Sequence, residues 1–154
     1  MKLQHEIKQT KPFQSPQQEA VLALLRTTDL VRRRLAKAIE PRNLSLEQYN
    51  VLRILRGAGG TGMATLEVSS RMIEQAPAIT RLLDKLEGKK LVRRVRCPKD
   101  RRQVLCWITE AGLHLLAEMD DDMALAGKEP FARLSAAEVE NLIKILDRIR
   151  EQEK

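Results

Sequence analysis

Ile79-Thr80-Arg81-Leu82-Leu83-Asp84-Lys85-Leu86-Glu87-Gly88-Lys89-Lys90 runs directly into Leu91-Val92-Arg93-Arg94-Val95-Arg96, and the apolar period changes where the two meet. In the first half Ile79, Leu82, Leu83 and Leu86 stand at i, i+3, i+4 and i+7, the inner stripe of an amphipathic helix. Gln75-Ala76-Pro77 is expected to open this helix, with Pro77 near the first turn, where a missing N–H costs nothing. Gly88 is its expected left-handed stop. The second half is a short strand, and Val104-Leu105-Cys106-Trp107-Ile108 is a second one. Between them lies Cys97-Pro98-Lys99-Asp100-Arg101-Arg102-Gln103, so the pair reads as a β-hairpin with a cationic tip.

Working outward, Thr65 is expected to cap a short helix from Leu66 to about Met72, with Leu66, Ser69 and Ile73 on its inner side. Ser45-Leu46-Glu47-Gln48 is a capping box, in which the Ser hydroxyl accepts from the backbone three residues on and Gln48 reaches back. The helix it opens carries Leu46, Tyr49, Leu52 and Leu55, widened by Val51 and Ile54, and stops at Gly57-Ala58-Gly59-Gly60. Further upstream, Val21, Leu24, Leu25, Thr28, Val31, Leu35 and Ala38 give helical spacing from about Gln17 to Ile39, ended by Pro41. Residues 1–16 are polar, contain Pro12 and Pro16, and read as an irregular arm.

Downstream, Thr109 caps a helix through Leu113, Leu116 and Met123, expected to be interrupted near Gly127 and Pro130. A second capping box, Ser135-Ala136-Ala137-Glu138, opens a terminal helix striped by Val139, Leu142, Ile143, Leu146 and Ile149. The expected fold is mainly α with a small β-hairpin wing. An N-terminal arm (1–16) and a dimerisation helix (17–43) precede a winged helix-turn-helix domain (44–110), and C-terminal dimerisation helices (111–154) follow it. The flanking helices exceed what a winged-helix core needs, and a two-fold partner is the simplest place to bury their stripes. Arg32, Arg33 and Arg34 are expected to face Asp120, Asp121 and Asp122 near that interface.

The 154 residues are 43% apolar but only 3% aromatic, so Leu, Ile, Val and Ala fill the core, a profile that favours helices. The net charge is +7. Residues 1–70 carry net +5, residues 71–102 net +7 and residues 103–154 net −5. The helix and hairpin therefore hold an excess equal to that of the whole chain. No stretch approaches the roughly 20 apolar residues of a membrane span, and the polar start lacks an apolar signal core, so a cytoplasmic protein is expected. Two cysteines, Cys97 and Cys106, make no disulfide framework, and His5 and His114 lack metal-ligand spacing. No nucleophile, base and orienting group converge on any catalytic pattern. Neither an enzyme nor a cofactor or metal is expected.

The physics suits double-stranded DNA. A helix packed by one face presents the other to the major groove. Small or short side chains near its start, Ala76, Ala78 and Thr80, allow close approach to base edges, and Arg81 can address guanine bidentately. Lys85, Lys89 and Lys90 follow the backbone. The hairpin tip, with Lys99, Arg101 and Arg102, is shaped to enter a minor groove or ride a phosphate ridge.

From Leu44 to Gly112 the chain resembles the MarR family of winged-helix regulators. The match is carried by Asp100-Arg101-Arg102 followed by Val104-Leu105-Cys106-Trp107-Ile108-Thr109-Glu110-Ala111-Gly112, the family's D-x-R and L/I-T-x-x-G pattern. Ile79 to Glu87 with Gly88 to Arg94 is similar to its recognition helix and first wing strand, and Leu46 to Leu52 to the preceding helix. The resemblance implies that Ala76 to Lys85 face the major groove, that Arg102 reaches the minor groove, and that Asp100 is a structural partner in the wing. The candidate DNA contacts are Gln75, Ala76, Pro77, Ala78, Thr80, Arg81, Lys85, Arg94, Lys99, Arg101 and Arg102. One departure stands out: Lys90 occupies a position where the family often has Gly.

The resemblance further implies a homodimeric repressor on a pseudo-palindromic operator. A small, often aromatic and anionic effector would bind between the dimer and DNA-binding regions and release it. Two alternatives remain open: a redox regulator sensing through Cys97, whose cationic neighbours favour thiolate, and a constitutive or architectural DNA-binding protein. Cys106 reads as a small buried hydrophobe, Trp107 as wing packing, His114 as a surface residue, and Tyr49 as core or groove lining.

Overall fold

A computed structural model describes residues 2–74 and 78–151. Its helices are α1 (Leu3–Glu6), α2 (Pro16–Ile39), α3 (Leu46–Ala58), α4 (Thr65–Ser70), α5 (Ile79–Gly88), α6 (Glu110–Lys128) and α7 (Ala136–Arg150). The strands are β1 (Met63–Ala64), β2 (Val92–Arg96) and β3 (Val104–Ile108), in the antiparallel order β1-β3-β2. The expected class, mainly α with a small β wing, is the observed one, and the hairpin register pairs Val92 with Ile108 and Arg96 with Val104. The third strand, β1, has no sequence signal: two residues are too few for a period, and pairing Met63 with Cys106 creates it.

The predicted caps form. The Ser45 and Ser135 boxes are both closed, and Thr109 Oγ1 accepts from Gly112 N at 3.1 Å. Thr65 is a correction. It is the first residue of α4 rather than its cap, and its hydroxyl donates to the Val104 carbonyl at 3.2 Å, joining α4 to β3. The inner side of α4 is also different from expectation. Leu66 and Ile73 are 83% and 79% exposed, while Val68 and Met72 are buried, because β1 sets the helix at another rotation. Two boundaries move as well. Residues 3–6 form one helical turn within the expected arm, and α6 runs unbroken through Gly127 to Lys128 before a 3-10 turn at Glu129–Phe131.

One core joins the elements. Val51, Leu52 and Leu55 of α3, Val68 of α4, Leu83 and Leu86 of α5, and Cys106 of β3 are at most 1% exposed. Ile39 at the end of α2 and Leu116 and Met119 of α6 belong to the same cluster, so both flanking helices are anchored in the winged-helix core. No other residue of α2 and none of α7 is fully buried within one chain. Val21, Leu24 and Leu25 on α2, Leu125 on α6, and Ile143 and Ile149 on α7 stay exposed. No described helix is long and apolar enough to cross a membrane.

The end of α5 departs from the expected glycine stop. Gly88 closes the helix with ordinary geometry, and Lys90 takes the left-handed conformation, φ 60°. The Lys90 N–H donates to the Glu87 carbonyl at 2.9 Å and the Leu91 N–H to the Leu86 carbonyl at 3.0 Å, a Schellman motif closed by Leu91 and Leu86 in the core. A lysine here bears the Cβ–carbonyl strain that glycine escapes. Lys90→Gly is therefore expected to stabilise the fold by about 1 kcal/mol, read as a higher midpoint of chemical denaturation. An unchanged or lower midpoint would contradict this account of the turn.

Candidate nucleic-acid interface

The face shared by α4, α5 and the hairpin gathers most of the residues singled out from sequence. On α5 the buried stripe Ile79, Leu83 and Leu86 turns Thr80, Arg81 and Lys85 outward, and Ala78 at its N-cap is also exposed. At the hairpin tip Lys99, Arg101 and Arg102 are exposed. None of these five cations makes an ion pair among the described residues. Gln75, Ala76 and Pro77 lie outside the described residues.

Between helix and hairpin runs an open groove of about 560 Å³, walled by Thr65, Leu66, Glu67, Thr80, Arg94, Arg102, Gln103 and Val104. Leu66, Glu67 and Gln103 are not among the candidate contacts read from sequence. Leu66 looked like core from its spacing, and only the rotation of α4 places it on this wall.

Asp100 is the organiser of the tip. Its Oδ1 accepts from the Arg102 backbone N–H at 3.0 Å, its Oδ2 from Gln103 Nε2 at 3.3 Å, and its carbonyl from the Gln103 N–H at 2.9 Å. The partnership with Arg102 expected from D-x-R is thus to the main chain, which leaves the guanidinium without an ion pair among the described residues. One acceptor pattern shapes the turn and points a cation outward.

Arg94 is held differently from the other cations. Its guanidinium contacts Glu87 Oε2 at 2.7 Å and Asp84 Oδ1 at 2.5 Å, its backbone N–H donates to Glu87 Oε1 at 3.1 Å, and its side chain is only 20% exposed. Two carboxylates of α5 thereby clamp β2. Hydrogen bonds from Arg94 hold the Glu87 carboxyl below the usual carboxylate range. Spacing could have hinted at this, since Asp84 and Glu87 are three residues apart on one helical face. Their partner lies across the helix–strand turn, however, and no periodicity reports it.

On the far side of the hairpin Trp107 packs as expected. Its Nε1–H donates to the Gly60 carbonyl at 3.3 Å, and the Arg93 guanidinium sits 4.5 Å from the ring centroid. Gly62, at φ 73°, lies so close that a Cβ there would fall 2.4 Å from the indole.

The cysteines are separated by the ladder. Cys97 is half-buried opposite Gln103, and Cys106 stands three residues further along β3, so about 10 Å of strand lies between them. That exceeds disulfide reach. Burial pushes the Cys106 thiol up, tempered by Thr65 Oγ1 at 3.6 Å, which keeps it an unreactive thiol. His114 is exposed on α6. Among the described residues no cluster of three or more His, Cys, Asp or Glu could hold a metal.

The ion pairs expected between Arg32–Arg34 and Asp120–Asp122 are not those formed within the chain. Arg32 pairs with Glu47 and Glu74, Arg33 with Asp29, and Arg34 with Glu129, whereas Asp120 receives Arg56 at 2.9 Å. The helix packing sets each partner: α6 lies along α2, and its Asp120 meets Arg56 of α3.

A sequence profile of the MarR family matches residues 44–104. The chain is 32% identical over 113 residues to the HTH-type transcriptional regulator MhqR of Bacillus subtilis (strain 168), covering 73% of this chain and 77% of that one. It is 38% identical to a MarR transcription factor from Planctomyces limnophilus, covering 88% of this chain and 98% of that one at a TM-score of 0.69. BpsR of Bordetella bronchiseptica, whose DNA binding is regulated by 6-hydroxynicotinic acid, is 26% identical at a TM-score of 0.78, covering 91% and 98%.

The helix–wing clamp has a pH signature. The folded pKa of Glu87 lies below its unfolded value, so the clamp contributes stability above the unfolded pKa, about 4.3, and loses it as pH falls through the folded value. Glu87→Gln is expected to flatten this acid limb of the unfolding temperature. Superimposable limbs for the variant and the natural protein below pH 4.5 would show that the clamp is not coupled to folding.

Proposed function

The chain belongs to the MarR family of transcription regulators, and on that premise we propose that it acts in the cytoplasm as a homodimeric repressor of a pseudo-palindromic operator, released by a small ligand. The observation that carries the DNA-binding half is the set of five exposed cations, Arg81, Lys85, Lys99, Arg101 and Arg102, unpaired among the described residues on one face, beside a hairpin turn that Asp100 shapes. Ala78, Thr80 and Arg81 enter the major groove, joined by Gln75, Ala76 and Pro77, and Arg102 enters the minor groove. Lys85, Lys99 and Arg101 sit on phosphates. Arg94 serves the interface by fixing the wing against the recognition helix rather than by touching DNA, because two carboxylates already neutralise it.

The dimer rests on the uncovered stripes of α2 and α7. Exposed Leu25, Ile143 and Ile149 are 62%, 52% and 53% accessible, and a second copy is the partner that buries them in a closed two-fold arrangement. Ligand control rests on a cavity between α2, α3 and the segment after α4, lined by Leu35, Tyr49, Asn50, Met72 and Met123 among others. The likeness to BpsR supports the same kind of control.

Selection of bound duplexes from a random pool is expected to return an inverted repeat. On such a duplex, affinity falls roughly 10³–10⁵-fold between 50 and 200 mM salt if six to ten phosphates are neutralised per dimer. Arg102→Ala costs about 1–3 kcal/mol and relaxes preference in the minor-groove segment. A salt-independent affinity would sink the DNA reading. For the dimer, Ile143→Asp is expected to halve the mass seen by light scattering, and a mass unchanged from that of the natural protein would show that α7 is not buried between copies.

A further inference from the structure

Leu66 is the second residue of α4, and at 83% exposure it is the most exposed large apolar side chain among the described residues. The fold holds it there. Val68 and Met72 of the same segment are buried, and the pairing of Met63 with Cys106 fixes the rotation of α4, so Leu66 has no inward alternative. A single exposed leucine is ordinary on a protein surface. This one lines the groove between α4, α5 and the hairpin, which it shares with Thr80 and Arg102. Thr80 and Arg102 are the residues proposed above to enter the two grooves of a duplex. Because α4 packs against α5, a duplex seated on both passes over the start of α4 as well.

The side chains at the start of α4 offer a phosphate no donor. Thr65 already donates its hydroxyl to the Val104 carbonyl at 3.2 Å. Leu66 has no polar side-chain atom. Glu67 is a carboxylate, which repels a phosphate, and its Oε1 is held by Arg71 Nη2 at 2.5 Å, one turn further on. The first helix of a helix-turn-helix crosses the phosphate backbone. Residues 65–67 bring to that crossing an engaged hydroxyl, an apolar side chain and a negative charge. They suit the base edges beside the backbone better than the backbone itself. In the major groove the apolar feature of a base edge is the thymine C5-methyl.

We propose that Leu66 is a specificity-determining residue, whose side chain packs on the C5-methyl of one thymine in each half-site. The proposal rests on the DNA-binding reading of this face and adds to it a base contact from a second helix. Glu67 supports the contact by keeping the phosphate backbone from closing over Leu66.

The test begins with selection of duplexes from a random pool by the natural protein and by Leu66→Ala. Affinity is then measured on the selected duplex with each thymine in turn replaced by deoxyuridine, which removes only the methyl. At one thymine position the natural protein is expected to lose about fourfold in affinity per half-site, and Leu66→Ala to lose nothing further there. The two changes then fail to add, as they do for groups in direct contact. Leu66→Met keeps a long apolar side chain and should retain the discrimination. Because Leu66 is exposed, Leu66→Ala should leave the unfolding midpoint unchanged. Because it touches no phosphate, the slope of affinity against salt should also stay unchanged. Equal deoxyuridine penalties in the natural protein and Leu66→Ala at every position overturn the inference. So does a selected half-site with no preferred thymine, or a uniform loss of affinity in Leu66→Ala with a shallower salt slope. In those three cases tight, salt-sensitive binding by the natural protein leaves the proposed DNA-binding function standing. A natural protein that binds no selected duplex sinks that function, and the inference with it.

Discussion

The carbonyl groups of Lys90 and Leu91 both end on Thr109. The Lys90 carbonyl accepts from Thr109 Oγ1 at 2.8 Å and the Leu91 carbonyl from the Thr109 N–H at 3.0 Å. The Thr109 hydroxyl in turn accepts from Gly112 N to cap α6. The stop of α5, the root of the hairpin and the start of α6 thus share one threonine. Gly112 permits the approach, because a Cβ there would fall 2.6 Å from both the Leu91 carbonyl and Ile108 Cγ1. The left-handed turn at Lys90 is tolerated because this junction and the core contact of Leu91 over-determine it. Helix, hairpin and flanking helix consequently stand at set angles, which the proposed surface, spanning two grooves of a duplex, needs.

Around that junction the cations divide into two populations. Arg94 is turned inward and spent on Glu87 and Asp84, and Arg32, Arg34 and Arg56 are spent on carboxylates of other elements. These exposed or half-exposed pairs add little stability each, but they specify which element lies against which. The cations of α5 and of the hairpin tip have no such partners among the described residues, so their field is free to act on a polyanion. The net charge of +7 therefore does not describe the proposed interface: the cations of one face that are unpaired among the described residues do, and pairing cannot be counted from composition.

Much of the fold is legible without coordinates. Both Ser capping boxes, the Thr109 cap, the i, i+3, i+4, i+7 stripe of α5 and the hairpin with its basic tip are local patterns, written by neighbours in the chain. The failures share a cause. Thr65 has the composition of a cap, yet its hydroxyl serves the Val104 carbonyl, 39 residues away. Leu66 has the spacing of core, but the pairing of Met63 and Ala64 with β3 rotates it into the groove. Arg94 belongs by position among the DNA-facing cations, but two carboxylates across the turn reach it first. Asn50, one residue after Tyr49 on an apolar helix, carries no signal at all. Its oxygen, buried and unpartnered among the described residues, lines a cavity that residues of α2, α6 and the segment after α4 complete.

By itself, the sequence determined the order of the longer helices and the hairpin strands, the amphipathic character of α5, the cationic hairpin and the concentration of charge on residues 71–102. Those properties depend on backbone hydrogen bonding and side-chain period within a few residues, which the chain states directly. Only the tertiary structure decided which cations remain unpaired, that Lys90 rather than Gly88 takes the left-handed turn, and which side chains line the groove and the cavity. Each of these is a choice between partners distant in sequence, settled by how helices rotate to bury a common core. A one-residue change in that rotation exchanges a buried side chain for an exposed one without altering any local pattern.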